Sequence, residues 1–321
     1  MTFLESDTLS VCIPTCQRPL LFERALRSVV GTDAASMVET EIVVSDDSSD
    51  DATAAVYERV ASPWRGRRQY ARAGAGGPAR NFNRCRELAA GRWILILHDD
   101  DYLLPGAVSG MLNAIRSAGD RCTLLFGVHV VDGDGTVLRR QRFRRPRDLP
   151  PADAFERVLS HSSYVRFPAI VVRRDAYEAV GPFDTEVGGA TDLDMWIRLF
   201  ARFGVRCLPV TTCAYTVHPG TITEDMFNAA TVTILMGIFD RARGLGVLSP
   251  RRLRSAQVDF FHQFILAGAW RRLRAGDRAG AGQVLSLFEL PSVRRLGVSR
   301  RWAPIRVALT GWVHAPRRLL F

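Results

Sequence analysis

Three acidic runs concentrate the chemistry available to this chain of 321 residues. They are Asp46-Asp47-Ser48-Ser49-Asp50-Asp51, His98-Asp99-Asp100-Asp101, and the pair Asp192 and Asp194 in TDLDMWIRL. Carboxylates with no Cys or His partner at zinc spacing suit a hard cation such as Mg2+ or Mn2+, which takes one or two carboxylates and completes its shell with phosphate oxygens. A cation bridging a diphosphate is a Lewis acid for a phosphate leaving group, so the pattern points to a nucleoside-diphosphate substrate. Helix starts explain part of it, because Ser48 or Ser49 can cap a helix whose first turn favours acids, and acids after Gly188-Gly189 can do the same. A cap does not require Asp46 and Asp47 ahead of it. Three consecutive carboxylates directly after the apolar run WILIL are hard to place on a solvated face.

The elements that must hold these residues are readable from periodicity. LSVCI (9–13), EIVVS (41–45) and WILIL (93–97) are continuous apolar runs bounded by polar turns, as in strands of a sheet covered on both faces. Residues 20–30, 51–61 and 78–90 carry apolar positions at helical spacing between them. The alternation predicts an α/β fold with a mostly parallel, Rossmann-like sheet flanked by helices and joined by right-handed crossovers. Ligands of such sheets bind beyond the carboxyl ends of the strands, and the first two acidic runs begin there, as does Pro14-Thr15-Cys16-Gln17-Arg18-Pro19. The stretch GAGGPA (74–79) imitates a dinucleotide fingerprint, but it follows no apolar strand and lies after the second one, which argues against that reading.

Composition narrows the class further. With 47% hydrophobic and 24% charged residues, the chain is neither disordered, collagenous nor a coiled coil. All 43 basic residues are Arg, a bias that codon usage in a GC-rich genome produces without functional demand. Residues 1–250 carry 29 Arg against 30 acids, whereas residues 251–321 carry 14 Arg against Asp259, Asp277 and Glu289. The net charge of +10 therefore belongs to the tail. No apolar run approaches the ~20 residues a membrane-spanning helix needs. MTFLESDTLS lacks a basic start and an apolar core, and the six Cys show no CxxC pair, so a cytoplasmic location without signal or zinc site is expected.

Taken in order, the motifs resemble the family 2 glycosyltransferases with the GT-A fold. SVCIPTCQRP (10–19) resembles the family's opening strand and nucleotide loop, VVSDDSSDD (43–51) its second-strand acidic motif, and LHDDDYLLP (97–105) its DxD motif. TDLDMWIRL (191–199) resembles the acidic motif before a Trp-containing helix, and YTVHPGTIT (215–223) the late His-bearing loop. The resemblance spans about 10–225 and implies an inverting, metal-dependent, non-processive transfer of a sugar from a nucleoside diphosphate of UDP, dTDP or GDP type. The acceptor would be the hydroxyl of a small molecule, a glycan or a lipid-linked glycan. Processive members carry transmembrane helices and a QxxRW motif, neither of which this sequence has. By the same resemblance Thr15 and Arg18 line the nucleotide pocket, Asp47 meets the base with Asp46 as its neighbour, and Gly77, Arg80 and Asn81 flank the nucleotide. Asp99 contacts the ribose, Asp100 the Mn2+ or Mg2+ ion, and Asp101 borders the donor sugar. His218 contacts the diphosphate or completes the metal site, while His98, His129 and His161 carry no role. Asp192 is the general base that deprotonates the acceptor. Relatives often have an acid immediately before it, and Thr191 there leaves Asp194 as the alternative. The two cannot share a helix face.

Two segments stay open. RRQRFRRPR (139–147) reads either as a solvated β-ribbon after the turn at Asp132-Gly133-Asp134-Gly135 or as an acceptor wall for phosphate or carboxylate groups. Nucleic acid is not expected, since Phe143 is the only aromatic among these arginines. The division expected is a catalytic domain over 1–225, with a nucleotide-sugar half to about 120 and an acceptor half beyond it, then a helical Arg-rich region over 226–321. The tail, with Trp302, Trp312 and Phe321 among its arginines, suits packing on the catalytic domain, a homodimer, or peripheral contact with an anionic membrane at its inner face. Two other classes compete with the transferase. A nucleotidyltransferase acting on sugar phosphates should show a Gly-rich phosphate loop after the first strand, and PTCQRP has no Gly. A non-catalytic nucleotide-sugar or membrane-binding module would have no need of Asp100 and Asp192.

Overall fold

The computed structural model describes residues 8–72, 74, 76–218 and 226–314. The chain forms two compact units, Met1–Pro151 with Val165–His218 and Ala152–Tyr164 with Pro219–Phe321. In the first unit the opening apolar runs become β1 (Leu9–Thr15) and β2 (Thr40–Asp46), every residue of which is buried. Between and after them come α1 (Pro19–Val30), α2 (Ala34–Val38), α3 (Ala52–Ala61), β3 (Arg68–Arg72), α4 (Pro78–Leu88) and β4 (Trp93–Ile96). β5 (Tyr102–Leu103), α5 (Ala107–Arg116), β6 (Thr123–Val131), β7 (Val137–Gln141) and β8 (Arg147–Leu149) follow. The chain then passes through α6 (Pro151–Ser160) and returns to the first unit with β9 (Ile170–Arg173), α7 (Arg174–Val180), α8 (Thr191–Phe203) and β10 (Val205–Thr216).

One ten-stranded sheet runs β3-β2-β1-β4-β9-β6-β10-β5, with β7 on β6 and β8 on β10. The first four strands pair in parallel, as the uninterrupted apolar sequences of β1, β2 and β4 predict, with β3 added at the edge. β9 then runs antiparallel to both β4 and β6, so the sheet is mixed beyond the nucleotide half. The register Thr15↔Asp46 sets the ends of β1 and β2 side by side, and Leu97 continues the β4 edge by donating its N–H to the Cys12 carbonyl at 2.8 Å. All three strands thus deliver their polar runs to one edge. α1 and α4 both open on proline, whose missing N–H costs nothing in a first turn. Only the start of the Arg-rich segment lies in a ribbon: β7 pairs with β6 at Val130↔Arg139 and His129↔Arg140 after a turn in which Asp132 Oδ1 accepts the Asp134 and Thr136 N–H groups. All six cysteines are free thiols, and only Cys16 is exposed.

The second unit is helical. α6 is joined there by α9 (Ala229–Gly244), α10 (Pro250–Arg274), α11 (Arg278–Leu285), α12 (Pro291–Arg294) and α13 (Ala303–His314). Asn228, Ser249 and Asp277 cap α9, α10 and α11 by accepting an N–H from the first turn. Its core includes the rings of Phe239, Phe260, Phe261 and Phe264. α6 is tied in by the Ser162 N–H to Gln263 Oε1 at 3.0 Å and by the Arg252 ion pair with Glu156. No helix among the described residues is long and apolar enough to cross a membrane.

Candidate active site

The loop after β1 is the hub of the nucleotide side. Thr15 is buried; its hydroxyl donates to Asp99 Oδ2 at 2.9 Å, and its carbonyl accepts from the Asp47 N–H at 2.9 Å and Asn81 Nδ2 at 3.2 Å. Gln17 follows at φ 55, a left-handed conformation no other described non-glycine residue adopts, and its N–H donates to Ser48 Oγ at 2.8 Å. Such strain persists only where the surroundings enforce it. The two acids at the end of β2, Asp46 and Asp47, are held differently. Both Asp46 oxygens are engaged within the protein, Oδ1 by the Ser48 N–H at 2.8 Å and Oδ2 by the Tyr70 hydroxyl. Among the described residues the Asp47 carboxylate receives a long 3.4 Å bond from the Gly76 N–H, and burial raises its pKa, with further push from Asp46. Asn81 lies buried on α4 with Oδ1 unpartnered, whereas Gly77, at φ 79, and Arg80 are exposed at the start of that helix.

The loop after β4 gathers the acids expected to meet the ribose, the cation and the donor sugar. Arg18 Nη1 stands 3.6 Å from Asp99 and 3.5 Å from Asp100, and His218 Nε2 stands 3.4 Å from Asp100. Burial, then the Asp100 charge, pushes the Asp99 pKa up to about 6. Asp101 Oδ1 accepts the Thr216 N–H at 2.8 Å, while Oδ2 is buried with no partner. His98, assigned no role from sequence, joins this cluster. Its ring packs against Phe82 and Phe167 at centroid distances of 5.2 and 4.4 Å; burial lowers its pKa and keeps the imidazole neutral, and Nε2 is unpartnered. One ligand atom each from His98, Asp100 and Asp101 lie within 4.8 Å of one another. Unpartnered Asp101 Oδ2 and His98 Nε2 beside a second carboxylate fit a divalent cation of the Mn2+ or Mg2+ type. Arg24 of α1 braces the loop by donating to the Asp100 carbonyl and to Thr216 Oγ1 at 3.0 Å, its guanidinium 4.9 Å from the Tyr102 ring centre. Residues 219–223 of the late motif lie outside the described residues.

α8 places its two acids in different surroundings. Asp194 is buried and pairs at 2.9 Å with Arg198 one turn on, which also donates to the carbonyls of Val180 and Pro182. Asp192 accepts the Leu193 N–H at 2.7 Å, and burial pushes its pKa up to about 6 despite the nearby charge of Arg166. Arg166 acts in the same direction on Asp101, so one guanidinium stands near both carboxylates. It rests over the Tyr215 ring at 4.5 Å with Nε buried and unpartnered. Phe167 links the two sides, its ring 4.4 Å from His98 and 5.1 Å from Trp196 of α8.

The sequence model of glycosyl transferase family 2 matches residues 10–181. A protein of Mycobacterium tuberculosis with no described function is 31% identical over 267 residues, covering 77% of this chain and 79% of that protein. The GalNAc(5)-diNAcBac-PP-undecaprenol beta-1,3-glucosyltransferase of Campylobacter jejuni is 31% identical over 130 residues, 40% of each chain. Among solved structures, Staphylococcus aureus TarS superposes with a TM-score of 0.62 at 17% identity over 95% of this chain, which spans about half, 52%, of the TarS chain. TarS 1–349 in complex with UDP-GlcNAc matches with a TM-score of 0.61 at 16% identity, covering 95% of this chain and 90% of that one. The mannosyltransferase PcManGT from Pyrobaculum calidifontis, solved with GDP-Man and Mn2+, matches with a TM-score of 0.56 at 19% identity over 94% of this chain and 83% of that one. The ten-stranded α/β unit is a GT-A fold.

Proposed function

The chain belongs to glycosyl transferase family 2, and from that premise we propose that this glycosyltransferase is inverting, divalent-cation-dependent and non-processive. Its donor in this reading is a nucleoside-diphosphate sugar of UDP, dTDP or GDP type, and its acceptor a hydroxyl on a glycan, lipid-linked glycan or small molecule. One observation carries the proposal: a half-buried Asp192 carboxyl with a pKa raised to about 6 shares Arg166 with an acidic cluster whose Asp101 Oδ2 and His98 Nε2 have no partner. Solved neighbours that hold UDP-GlcNAc or GDP-Man support the donor class.

The residues divide the work by position. Asp47, with an oxygen to spare, meets the base, while Asp46 holds the Ser48 turn and Tyr70. Thr15 and Asn81 fix the β1 loop against α4, and Gly77 and Arg80 border the nucleotide. Asp99, oriented by the Thr15 hydroxyl, meets the ribose, and Arg18 lies over the Asp99 and Asp100 carboxylates. Asp100, Asp101 and His98, with His218 beside Asp100, would hold the cation. When bound, it supplies positive charge to the departing diphosphate. Asp192 takes the proton from the acceptor hydroxyl as the oxygen attacks the anomeric carbon, opposite the leaving group. Its pKa near 6 leaves it ionised at neutral pH yet basic enough to accept that proton.

Thermal shift with nucleoside diphosphates and their sugars, with and without Mn2+, tests the reading. A cation-dependent rise with one nucleoside diphosphate is expected, lost in Asp100→Ala with the apo melting point retained. A donor-dependent shift that ignores Mn2+ overturns the metal assignment. Retention of anomeric configuration in the product, read by NMR, overturns the inverting assignment.

A further inference from the structure

α13 is an unusual surface helix. Its sequence APIRVALTGWVH contains no acid and one Arg, yet among its described side chains only Leu309 is buried. Val307 is 72% exposed, Ile305 44% and Trp312 43%, and Trp270 on the neighbouring α10 is 44% exposed. The Trp270 and Trp312 rings lie 5.9 Å apart. They flank an apolar groove of about 450 Å³, lined also by Leu266, Trp302, Ile305 and Leu309. Isolated exposed apolar residues are ordinary on a protein surface, but a continuous patch with a groove inside it marks a surface that something covers.

Charge identifies the cover. Residues 226–314 hold 14 Arg against four acids. Many of these arginines belong to the segments that carry the patch. Arg271, Arg272 and Arg274 form the last turn of α10 beside Trp270, Arg300 and Arg301 precede α13 and are exposed, and Arg306 lies on it. Two of these six have an acid beside them, Asp277 3.6 Å from Arg272 and Glu289 3.7 Å from Arg306, which leaves the patch with a net positive charge. A second copy of the chain docking here would bring the same arginines face to face, because a two-fold interface pairs a patch with itself. A nucleic acid would match the charge but offers no apolar surface to Ile305, Val307 or the groove. An anionic lipid surface matches both: tryptophan prefers the headgroup boundary, aliphatic side chains enter the acyl region, and each arginine gains on the order of 1 kcal/mol near anionic lipid.

We propose that the face formed by α13 and the C-terminal half of α10 docks the protein on an anionic membrane, with Trp270, Ile305, Val307 and Trp312 entering the interface and the surrounding arginines meeting lipid phosphates. The proposal goes beyond the transferase reading and does not depend on it.

Co-sedimentation of the full-length protein tests it, using phosphatidylcholine vesicles with and without phosphatidylglycerol. At low salt the protein should pellet with the anionic vesicles only and be released as salt rises, with tryptophan emission shifting to the blue on binding. Trp312→Ser should weaken binding about tenfold, the loss of one buried aromatic side chain. The double charge reversal Arg300→Glu with Arg301→Glu should weaken it as much, with circular dichroism melts unchanged because these positions are exposed. Failure to pellet with anionic vesicles at low salt overturns the proposal. So does a dimer in analytical ultracentrifugation that Trp312→Ser dissociates, or retention on single-stranded DNA in preference to anionic vesicles. Turnover of a soluble donor and acceptor by Trp312→Ser at the wild-type rate is expected and separates this surface from the active site.

Discussion

Asp192 and Asp194 stand two positions apart on α8, and removing the charge of each should move stability in opposite directions. Asp194 is buried against Arg198, so Asp194→Asn leaves a guanidinium short of its partner and costs about 1–3 kcal/mol. Asp192 has a pKa near 6, above the ordinary carboxylate value, so the fold penalises its ionised form. That penalty is absent below about pH 4 and complete above pH 6, where it amounts to about 3 kcal/mol. Asp192→Asn should therefore raise the melting point at pH 7.5 and leave it unchanged near pH 4. Transfer should fall by about 10²–10⁴ in Asp192→Asn, with donor binding kept, and by only a few-fold in Asp194→Asn. Melting curves and initial rates on the two variants check both signs, and an active Asp192→Asn exchanges the assignments. The pH profile follows from the same geometry. Turnover should fall as pH drops through about 6, and because Arg166 pulls the Asp192 pKa down, Arg166→Gln should move that acid limb to higher pH.

At the scale of elements, β1, β2 and β4 were readable because each apolar run ends abruptly in a polar one, and that junction is both the strand end and the ligand edge. Thr15, Asp47 and Asp99 follow from it directly. β3 escapes the same logic, since RQYAR is a half-exposed edge strand with no apolar run. His98 escapes because its only sequence signal is that it precedes three acids; what brings its nitrogen into the cluster is packing against Phe82 and Phe167 from distant segments. Arg24 and Arg166 are likewise placed by contacts spanning much of the chain, to Asp100 and Thr216 and to Tyr215. No spacing rule reports those. The end of α8 tests how firmly an element holds its site. Gly204 terminates the helix at φ 67, and a Cβ there would lie 2.3 Å from the Leu149 carbonyl oxygen. Gly246, at φ 66, has nothing within 4 Å. Gly246→Ala should cost about 1 kcal/mol for backbone strain alone, whereas Gly204→Ala adds a backbone clash and should cost about 3 kcal/mol or more. Denaturant midpoints on the two variants measure the difference, and equal losses would show that α8 and β8 give way easily.

For the whole molecule, the basic tail and the path of the chain raise one question: whether the catalytic sequence can stand without the helices that follow. Residues 1–250 are nearly neutral and the positive charge is carried beyond them, which suggests a cut near residue 225 that would leave a complete catalytic domain. The chain does not run that way. It leaves the first unit after Pro151, contributes Ala152–Tyr164 to the second, and re-enters at Val165, so a break at 225 keeps α6 and removes its partners. The losses include Gln263, which accepts from Ser162, and Arg252, which pairs with Glu156. The buried α6 side chains Ala154, Phe155, Val158 and Leu159 would face water, a cost on the order of 5 kcal/mol for the four together. That is a large share of the stability of an ordinary domain. A chain ending at residue 225 should accordingly bind a hydrophobic dye, be cleaved by protease first within 152–164, and aggregate on concentration, while the full chain does none of these. Splitting the protein by co-expressing 1–225 with 226–321 should restore protection of 152–164, because the missing partners return in trans. If 1–225 alone resists protease and melts cooperatively, α6 owes its burial to the first unit and the boundary at 225 stands.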